Sequence, residues 1–207
     1  KEQALSNFIS TGIYISEPEV IDLIPSGQSF DIGSELFPLM AERGLPFYAQ
    51  KRPFNWLDIG SVADYWEVLQ DVLKGEVAHM DVPGIQVEDG VWVGLNTSID
   101  WNGTVIKGPV YIGSGCLIES GVTIIGPTWI GHGSHICEGA EVVRSVLFEY
   151  TRVLHDVTLH EMIVFKDYSV DRAGEMKHCS EYSSEEWVNA RDRRRRRRSE
   201  GELAYAK

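Results

Sequence analysis

The most regular feature of the chain is an apolar residue at every sixth position between residues 106 and 154. The nine positions are Ile106, Ile112, Ile118, Ile124, Ile130, Ile136, Val142, Phe148 and Leu154. Twelve of the twenty glycines fall between Gly84 and Gly139, where they provide turns between these positions. A period of six fits neither a helix nor an alternating strand ladder. It predicts short strands and tight turns, with three sides closing one coil of about eighteen residues.

The corner positions support the same interpretation. A small or branched residue stands two positions before most of these apolar residues, as at Val110, Cys116 and Val122. Aliphatic residues that point inward, small corner residues and glycine turns together resemble the hexapeptide-repeat, left-handed parallel β-helix family. We therefore expect an all-β left-handed β-helix of about four coils over residues 85–160.

Both ends of the repeat are expected to deviate from it. Upstream, Val87, Val93 and Ile99 keep the period but lie one residue out of phase. Downstream, His160 stands where an aliphatic residue is needed, so the period is expected to fail after Leu154. Residues 161–190 are then expected to hold a capping strand over 162–170 and a capping helix from residue 184 to 191.

Residues 1–75 show a mixed α/β pattern, and residues 76–84 are expected to link them to the repeat. We expect three strands, over 7–15, 45–50 and 54–59. We also expect three helices, near Pro18, over 31–43 (kinked or divided at Pro38) and over 62–74. Ser61 and Asp64 form a capping box for the last helix, which ends at Gly75. So few elements cannot cover both faces of a parallel sheet, which predicts a partial Rossmann-like domain.

Charge and composition exclude several classes of function. The chain has 31 acidic and 19 basic residues, a formal charge of −12, which makes nucleic-acid binding unlikely. Seven of the basic residues lie in the run 191–198, so residues 191–207 are expected to form a disordered basic and polar tail. The sequence has no apolar run long enough to span a membrane and no export leader. Three cysteines without paired spacing favour a reducing, cytoplasmic setting.

Three segments carry a more specific resemblance. Ser6–Tyr14, Phe30–Pro38 and Trp56–Tyr65 are similar to three successive motifs of the sugar-1-phosphate nucleotidyltransferases. In that family these motifs close a Rossmann-like catalytic domain and lead into a hexapeptide-repeat domain, which is the order found here. The likeness covers roughly residues 5–155, and the mannose-1-phosphate guanylyltransferase type is the most similar.

The resemblance implies a role for individual residues. Asp58 would be one of two acidic ligands of a catalytic Mg²⁺, which suits a hard, oxygen-binding ion. The implied substrate-binding residues are Asn7, Ser10, Thr11, Gly12, Asp31 and Trp56. The implied reaction joins a sugar-1-phosphate to a nucleoside triphosphate, most simply mannose-1-phosphate and GTP, for cell-surface polysaccharide.

One departure from the family pattern limits this implication. The glycine-rich loop that binds the nucleotide phosphates, the Glu-Lys-Pro segment and the second acidic metal ligand are not found in the sequence. We therefore expect the chain to be the C-terminal part of such an enzyme, inactive until its N-terminal catalytic half is supplied. We also expect it to self-associate, because Trp92, Trp101 and Trp129 occupy outward positions of the repeat.

Two alternatives remain open at this point. The chain could be a non-catalytic β-helix module for assembly or regulation. It could also be a hexapeptide-repeat acyltransferase, in which a loop histidine acts as general base. His132 and His135 are the paired candidates for that base, or for a metal site, but no loop insertion accompanies them. Acetyl-CoA binding would favour the acyltransferase.

Overall fold

The computed structural model describes residues 8–51, 56–181 and 186–189 and divides into two units. Short strands that pair mainly in parallel make up most of the second unit. The units comprise residues 1–56 and residues 57–207. None of the helices in the described ranges is long and apolar enough to cross a membrane.

Three sheets form the three sides of the repeat. The first has the order β1 (Ile85–Glu88), β2 (Val91–Val93), β5 (Val110–Ile112), β8 (Thr128–Ile130), β11 (Val146–Leu147), β14 (Met162–Phe165), β15 (Tyr168–Asp171), β16 (Met176–His178). The second has the order β13 (Thr158–His160), β10 (Glu141–Val143), β7 (Thr123–Ile125), β4 (Val105–Lys107). The third has the order β17 (Trp187–Asn189), β12 (Thr151–Val153), β9 (His135–Ile136), β6 (Leu117–Ile118), β3 (Ser98–Ile99).

Strand pairing confirms the coil predicted from the period of six. Ile106, Ile124 and Val142 are Cα partners in successive coils, eighteen residues apart. Six consecutive positions of the period are completely buried: Ile112, Ile118, Ile124, Ile130, Ile136 and Val142. Three of these side chains, one from each side, fill the interior of one coil, and successive coils build a continuous apolar column. The domain is therefore a parallel β-helix of about four coils. Its left hand stays a prediction.

The predicted inward positions are wrong by one residue after Val142. Leu147 pairs with Ile130, Val153 with Ile136 and Leu159 with Val142, and all three are completely buried. Phe148, by contrast, is 41% exposed.

The cause of this shift is one shortened corner. Arg144 alone connects Val143 to Ser145, whereas Gly126 and Pro127 together occupy the same corner one coil earlier. The period therefore continues through Leu159, and His160 is simply the next, exposed residue.

A second corner shows why the turns need glycine. Asn96, Gly115, Gly133 and Tyr150 lie at equivalent turns, and their φ angles are all between +56° and +68°. Glycine adopts this region without the steric cost that a Cβ brings. At Gly133 a Cβ would also lie 2.7 Å from the ring of Tyr150, so the Tyr150 side chain leaves no room for one at this position.

The C-terminal end of the β-helix differs from the predicted strand and helix. β14 confirms a strand within 162–170, and it continues into an antiparallel hairpin with β15 and β16. Residues 187–189, expected to be helical, form β17, which pairs antiparallel with β12. Trp187 is completely buried and belongs to the same apolar column, so packing outweighs the local helical pattern. The basic run 193–198 lies outside the described residues.

Helix α2 (Val62–Lys74) packs on the first sheet. The Ser61 side chain accepts a hydrogen bond from the Asp64 backbone N–H, and Gly75 ends the helix with a φ of +74°, which confirms the capping box and the glycine stop. Trp66 of this helix packs with Val146 and Ile163 of the sheet, and Trp129 packs against the same cluster. Trp129 is therefore a packing residue for the preceding helix, one of its two expected roles.

The first unit contains short helices and no strand among its described residues. A 3₁₀ helix covers Pro18–Leu23, and a π-helical turn (Ile32–Leu36) leads into α1 (Phe37–Glu42), with Pro38 at its start. The strands predicted at 7–15 and 45–50 lack a backbone ladder within residues 8–51, and residues 56–59 of the third predicted strand lack one as well. Strands need a hydrogen-bonding neighbour, and local sequence alone does not supply one.

Truncation of one core layer should destabilise the β-helix strongly. We expect Ile124→Ala to lower the free energy of unfolding by about 2–5 kcal/mol, because it leaves a cavity in the column. Ile125→Ala removes the same atoms from the neighbouring, partly exposed position and should cost about 1 kcal/mol. Chemical denaturation of both variants measures the difference. Equal losses would contradict the assignment of Ile124 as the inward residue.

Candidate functional site

The predicted sugar-binding segment forms a tight local turn. The Gly12 backbone N–H donates to Ser10 Oγ at 3.2 Å, and Ser10 Oγ lies 2.8 Å from the hydroxyl of Tyr14. Gly12 has a φ of +76°, which a residue with a Cβ rarely adopts. Ser10 is exposed and Thr11 half-buried, so the turn presents short polar groups to solvent. Asn7, predicted to bind substrate with them, lies outside the described residues.

Asp31 begins the helical segment at residue 32. Its Oδ1 accepts hydrogen bonds from the backbone N–H of Ser34 at 2.6 Å and from the Ser34 hydroxyl at 2.8 Å. The Ser34 backbone N–H and then the Ser34 hydroxyl hold the pKa of the Asp31 carboxyl below its ordinary value. The Asp31 backbone N–H donates in turn to Glu35 Oε2 at 2.6 Å, so the two residues cap the turn reciprocally. Asp31 is thus an exposed carboxylate held by its own backbone.

Asp58 lies between the two units' boundary and helix α2. It is exposed, in a segment without regular structure that leads to the N-cap residue Ser61. Trp56, on the other side of the boundary, is 41% exposed. An exposed carboxylate is the type of ligand that Mg²⁺ prefers. Within the described ranges, however, Asp58 does not belong to any cluster of three potential metal ligands.

An apolar groove of about 280 Å³ begins next to Asp58. Ile59, Leu69 and Val72 line one part of it, and Trp129 and Phe148 of the β-helix line another. Burial, and secondarily the negative charge of Glu149, raises the pKa of Tyr65 at its edge. The groove is where α2 meets the first sheet, and its chemistry suits packing rather than recognition of a charged substrate.

A polar cluster lies on the third sheet and was not predicted. His135 Nε2 is 2.5 Å from Glu119 Oε1, and the Glu138 backbone N–H donates to Glu119 Oε2 at 2.8 Å. Partial burial acts to raise the pKa of Glu119, but the Glu138 hydrogen bond and the nearby His135 and His155 outweigh it and lower that pKa. The other candidate, His132, accepts a hydrogen bond from the Ser114 backbone N–H at Nδ1 (3.1 Å).

This cluster is the one part of the described ranges with three potential metal ligands close together. They are Glu119, Cys137 and His155, and their ligand atoms all lie within 4.8 Å of one another. Sequence reasoning missed the group because it compared neighbours such as His132 and His135. The spacing of eighteen residues between its members was the available signal.

Comparison with known proteins adds information that the geometry lacks. Residues 1–75 match the nucleotidyl transferase family. A UTP–glucose-1-phosphate uridylyltransferase of Synechocystis sp. is 51% identical over 84% of this chain and 45% of its own length. A glucose-1-phosphate adenylyltransferase of Acetivibrio thermocellus is 26% identical, over 81% of this chain and 40% of its own.

A third relative is of the type named in the sequence resemblance. Mannose-1-phosphate guanylyltransferase 1 of Arabidopsis thaliana is 34% identical over 57% of this chain and 33% of its own length. The chain thus spans less than half the length of each of these relatives. The family match, the named relatives and the β-helix agree with one another, and the chain belongs to the sugar-1-phosphate nucleotidyltransferase family.

Proposed function

We propose that the protein containing this chain transfers a nucleotidyl group from a nucleoside triphosphate to a sugar-1-phosphate. The observation that carries the proposal is the 51% identity to a uridylyltransferase over 84% of the chain, together with the nucleotidyl transferase match of residues 1–75. A phosphate oxygen of the sugar-1-phosphate attacks the α-phosphorus of the nucleotide. The bond from that phosphorus to the bridging oxygen breaks, and pyrophosphate leaves.

Glucose-1-phosphate and UTP are the substrate pair that the comparisons favour. The relative that carries this name is far more similar than the guanylyltransferase, at 51% against 34% identity, and is matched over more of the chain. Mannose-1-phosphate and GTP, the pair expected from the motifs, are the second candidate. GDP-mannose for polysaccharide synthesis is the product in that case.

Asp58 is the residue we propose to bind Mg²⁺ in this reaction. Its exposed carboxylate has the right donor chemistry, although one carboxylate does not complete a site. When bound, the ion neutralises charge on the nucleotide phosphates as pyrophosphate departs. The chain's own contribution at this point is to hold the carboxylate just ahead of a capped helix, whose N-terminus restricts the backbone.

We propose that the sugar hydroxyl groups form hydrogen bonds with the turn at Ser10–Gly12 and with the carboxylate of Asp31. Asn7 and Trp56 are proposed as further substrate contacts. Asp31 is ionised at neutral pH, as any exposed Asp is, so its carboxylate accepts hydrogen bonds from hydroxyl groups. The Ser34 hydrogen bonds lower its pKa further and hold the carboxylate in place. A turn with exposed Ser10 and half-buried Thr11 adds short donors and acceptors.

The first unit has the surface expected of an incomplete domain, and its missing partner is proposed to be the N-terminal catalytic half. Ile13 is 78% exposed, Ile15 99% and Tyr48 90%, although apolar side chains of this size are usually covered.

Self-association also stays a prediction. Trp101 is 50% exposed at the β-helix surface, where it could contact a second copy of the chain. A monomeric mass by light scattering at micromolar concentration would contradict self-association.

An activity assay tests the proposed reaction directly. We expect the chain alone to release no pyrophosphate from UTP and glucose-1-phosphate with Mg²⁺. The protein expressed from the gene with its upstream coding sequence should release pyrophosphate and form UDP-glucose. The same assay with GTP and mannose-1-phosphate separates the two substrate pairs. Turnover by the chain alone would overturn the dependence on a catalytic half, and inactivity of the longer protein with every pair would overturn the reaction.

Removal of the Asp58 charge should abolish most activity of that longer protein. We expect Asp58→Asn to lower kcat by about a hundredfold or more, because the amide replaces an anionic metal ligand without changing its size. Asp81→Asn is the matched control, since Asp81 is exposed too and follows α2 rather than preceding it. Steady-state kinetics at several Mg²⁺ concentrations measure both variants. Wild-type kinetics for Asp58→Asn would exclude Asp58 from the metal site.

A further inference from the structure

The coiling of the β-helix brings three residues with metal-binding side chains to one corner. Glu119, Cys137 and His155 each follow a strand of the third sheet, β6, β9 and β12, and each is eighteen residues from the next. Glu119 and Cys137 directly follow the paired residues Ile118 and Ile136. His155 lies one position further along its own coil, because the shortened corner makes Val153 the partner of Ile136. The three residues therefore belong to successive coils near one corner. Carboxylate, thiol and imidazole are three different donor types, so their coincidence is unlike the acidic patches common on protein surfaces.

A fourth donor lies beside these three residues. His135 Nε2 is 3.9 Å from Cys137 Sγ and 2.5 Å from Glu119 Oε1. In a tetrahedral zinc site, metal–ligand bonds of about 2.0–2.3 Å separate the ligand atoms by roughly 3.3–3.8 Å. The sulfur–nitrogen distance of 3.9 Å is slightly longer than this range and must shorten by a few tenths of an ångström. The oxygen–nitrogen contact must open by about 1 Å, with the ion taking the place of the shared proton.

We propose that Glu119, His135, Cys137 and His155 bind one zinc ion or a similar borderline divalent metal. A donor set with a thiolate and two imidazoles selects such an ion over Mg²⁺ or Ca²⁺, which require oxygen ligands. The thiolate and the carboxylate together neutralise the charge of the ion. This site does not include Asp58. Its function is to stabilise the β-helix by cross-linking three successive coils at one corner.

The surroundings of the cluster favour this use. Cys137 is completely buried, whereas His155 is exposed and Glu119 is partly exposed, so an ion enters from the His155 side. Arg152 Nε donates a hydrogen bond to Cys137 Sγ at 3.4 Å, which orients the sulfur at this corner.

An acidic groove lies on the Glu119 side of the cluster. It has a volume of about 390 Å³, and its lining residues include Asp100, Glu119 and Glu138. Three acidic side chains around one open groove raise the local concentration of cations and offset the charge of Arg152. The proposed site therefore combines a buried ligand, Cys137, with a neighbouring acidic groove that is open to solvent.

Cobalt titration of the chain, prepared without a polyhistidine tag and stripped of metal, tests the site. We expect one cobalt ion per chain, a thiolate-to-cobalt charge-transfer band in the near ultraviolet and visible bands of tetrahedral intensity, all lost on addition of zinc. Cys137→Ser should remove the charge-transfer band. Cys116→Ser should keep it, because Cys116 is buried and hydrogen-bonds to the Gly131 carbonyl instead.

A second variant covers the case in which the buried Cys137→Ser fails to fold. His155→Ala changes an exposed residue and should weaken metal binding about tenfold or more. His160→Ala, an exposed histidine on a different sheet, is its control and should bind like the wild type. At the same zinc concentration, zinc should also raise the unfolding temperature of the wild type more than that of His155→Ala. Binding without a thiolate band, unchanged binding by His155→Ala, or no binding at millimolar cobalt would each overturn the proposal.

Discussion

The β-helix depends on the close stacking of backbones from one coil to the next. Each strand of two or three residues is too short to be stable alone, but it pairs in parallel with equivalent strands above and below. That stacking requires one large aliphatic side chain per side to fill the interior, as Ile112, Ile118 and Ile124 do. It also requires tight corner turns with a positive φ, which Gly133 adopts without steric cost. The interior column and the corner turns are therefore two consequences of a single geometric constraint.

The same constraint organises the outer surface. Residues eighteen apart become neighbours, so functional groups assemble from positions that seem unrelated along the chain. Glu119 and Cys137, eighteen residues apart, come together in this way, and His155 lies near them. His135 of the neighbouring coil, sixteen residues from Glu119, contacts the same carboxylate. On the outside of a regular β-helix, side chains of successive coils form rows. Such a row can carry functional groups without any change to the buried residues of the core. Glu119 and Cys137 belong to one such row.

Much of this architecture could be predicted from the sequence because its signals are local. The period of six identified the buried residues as far as Val142, and Ser61 and Gly75 identified the ends of α2. The errors follow from tertiary effects. One shortened corner at Arg144 moved the inward positions to Leu147 and Val153, and the burial of Trp187 made a strand of an expected helix. The cluster of Glu119, Cys137 and His155 was not predicted, because its members are brought together by the length of a coil and do not form a short sequence motif.

The packing of α2 connects the β-helix to the motif that carries the proposed chemistry. Asp58 stands three residues before the cap residue Ser61, so the position of the helix start restricts where its carboxylate can lie. The helix is held on the first sheet by Trp66, which is only 2% exposed and packs with Val146 and Ile163 from two successive coils. A loss of register between those coils would therefore shift the helix and, with it, the residue proposed to bind Mg²⁺. The β-helix therefore restricts the position of Asp58 through the packing of α2 on its first sheet.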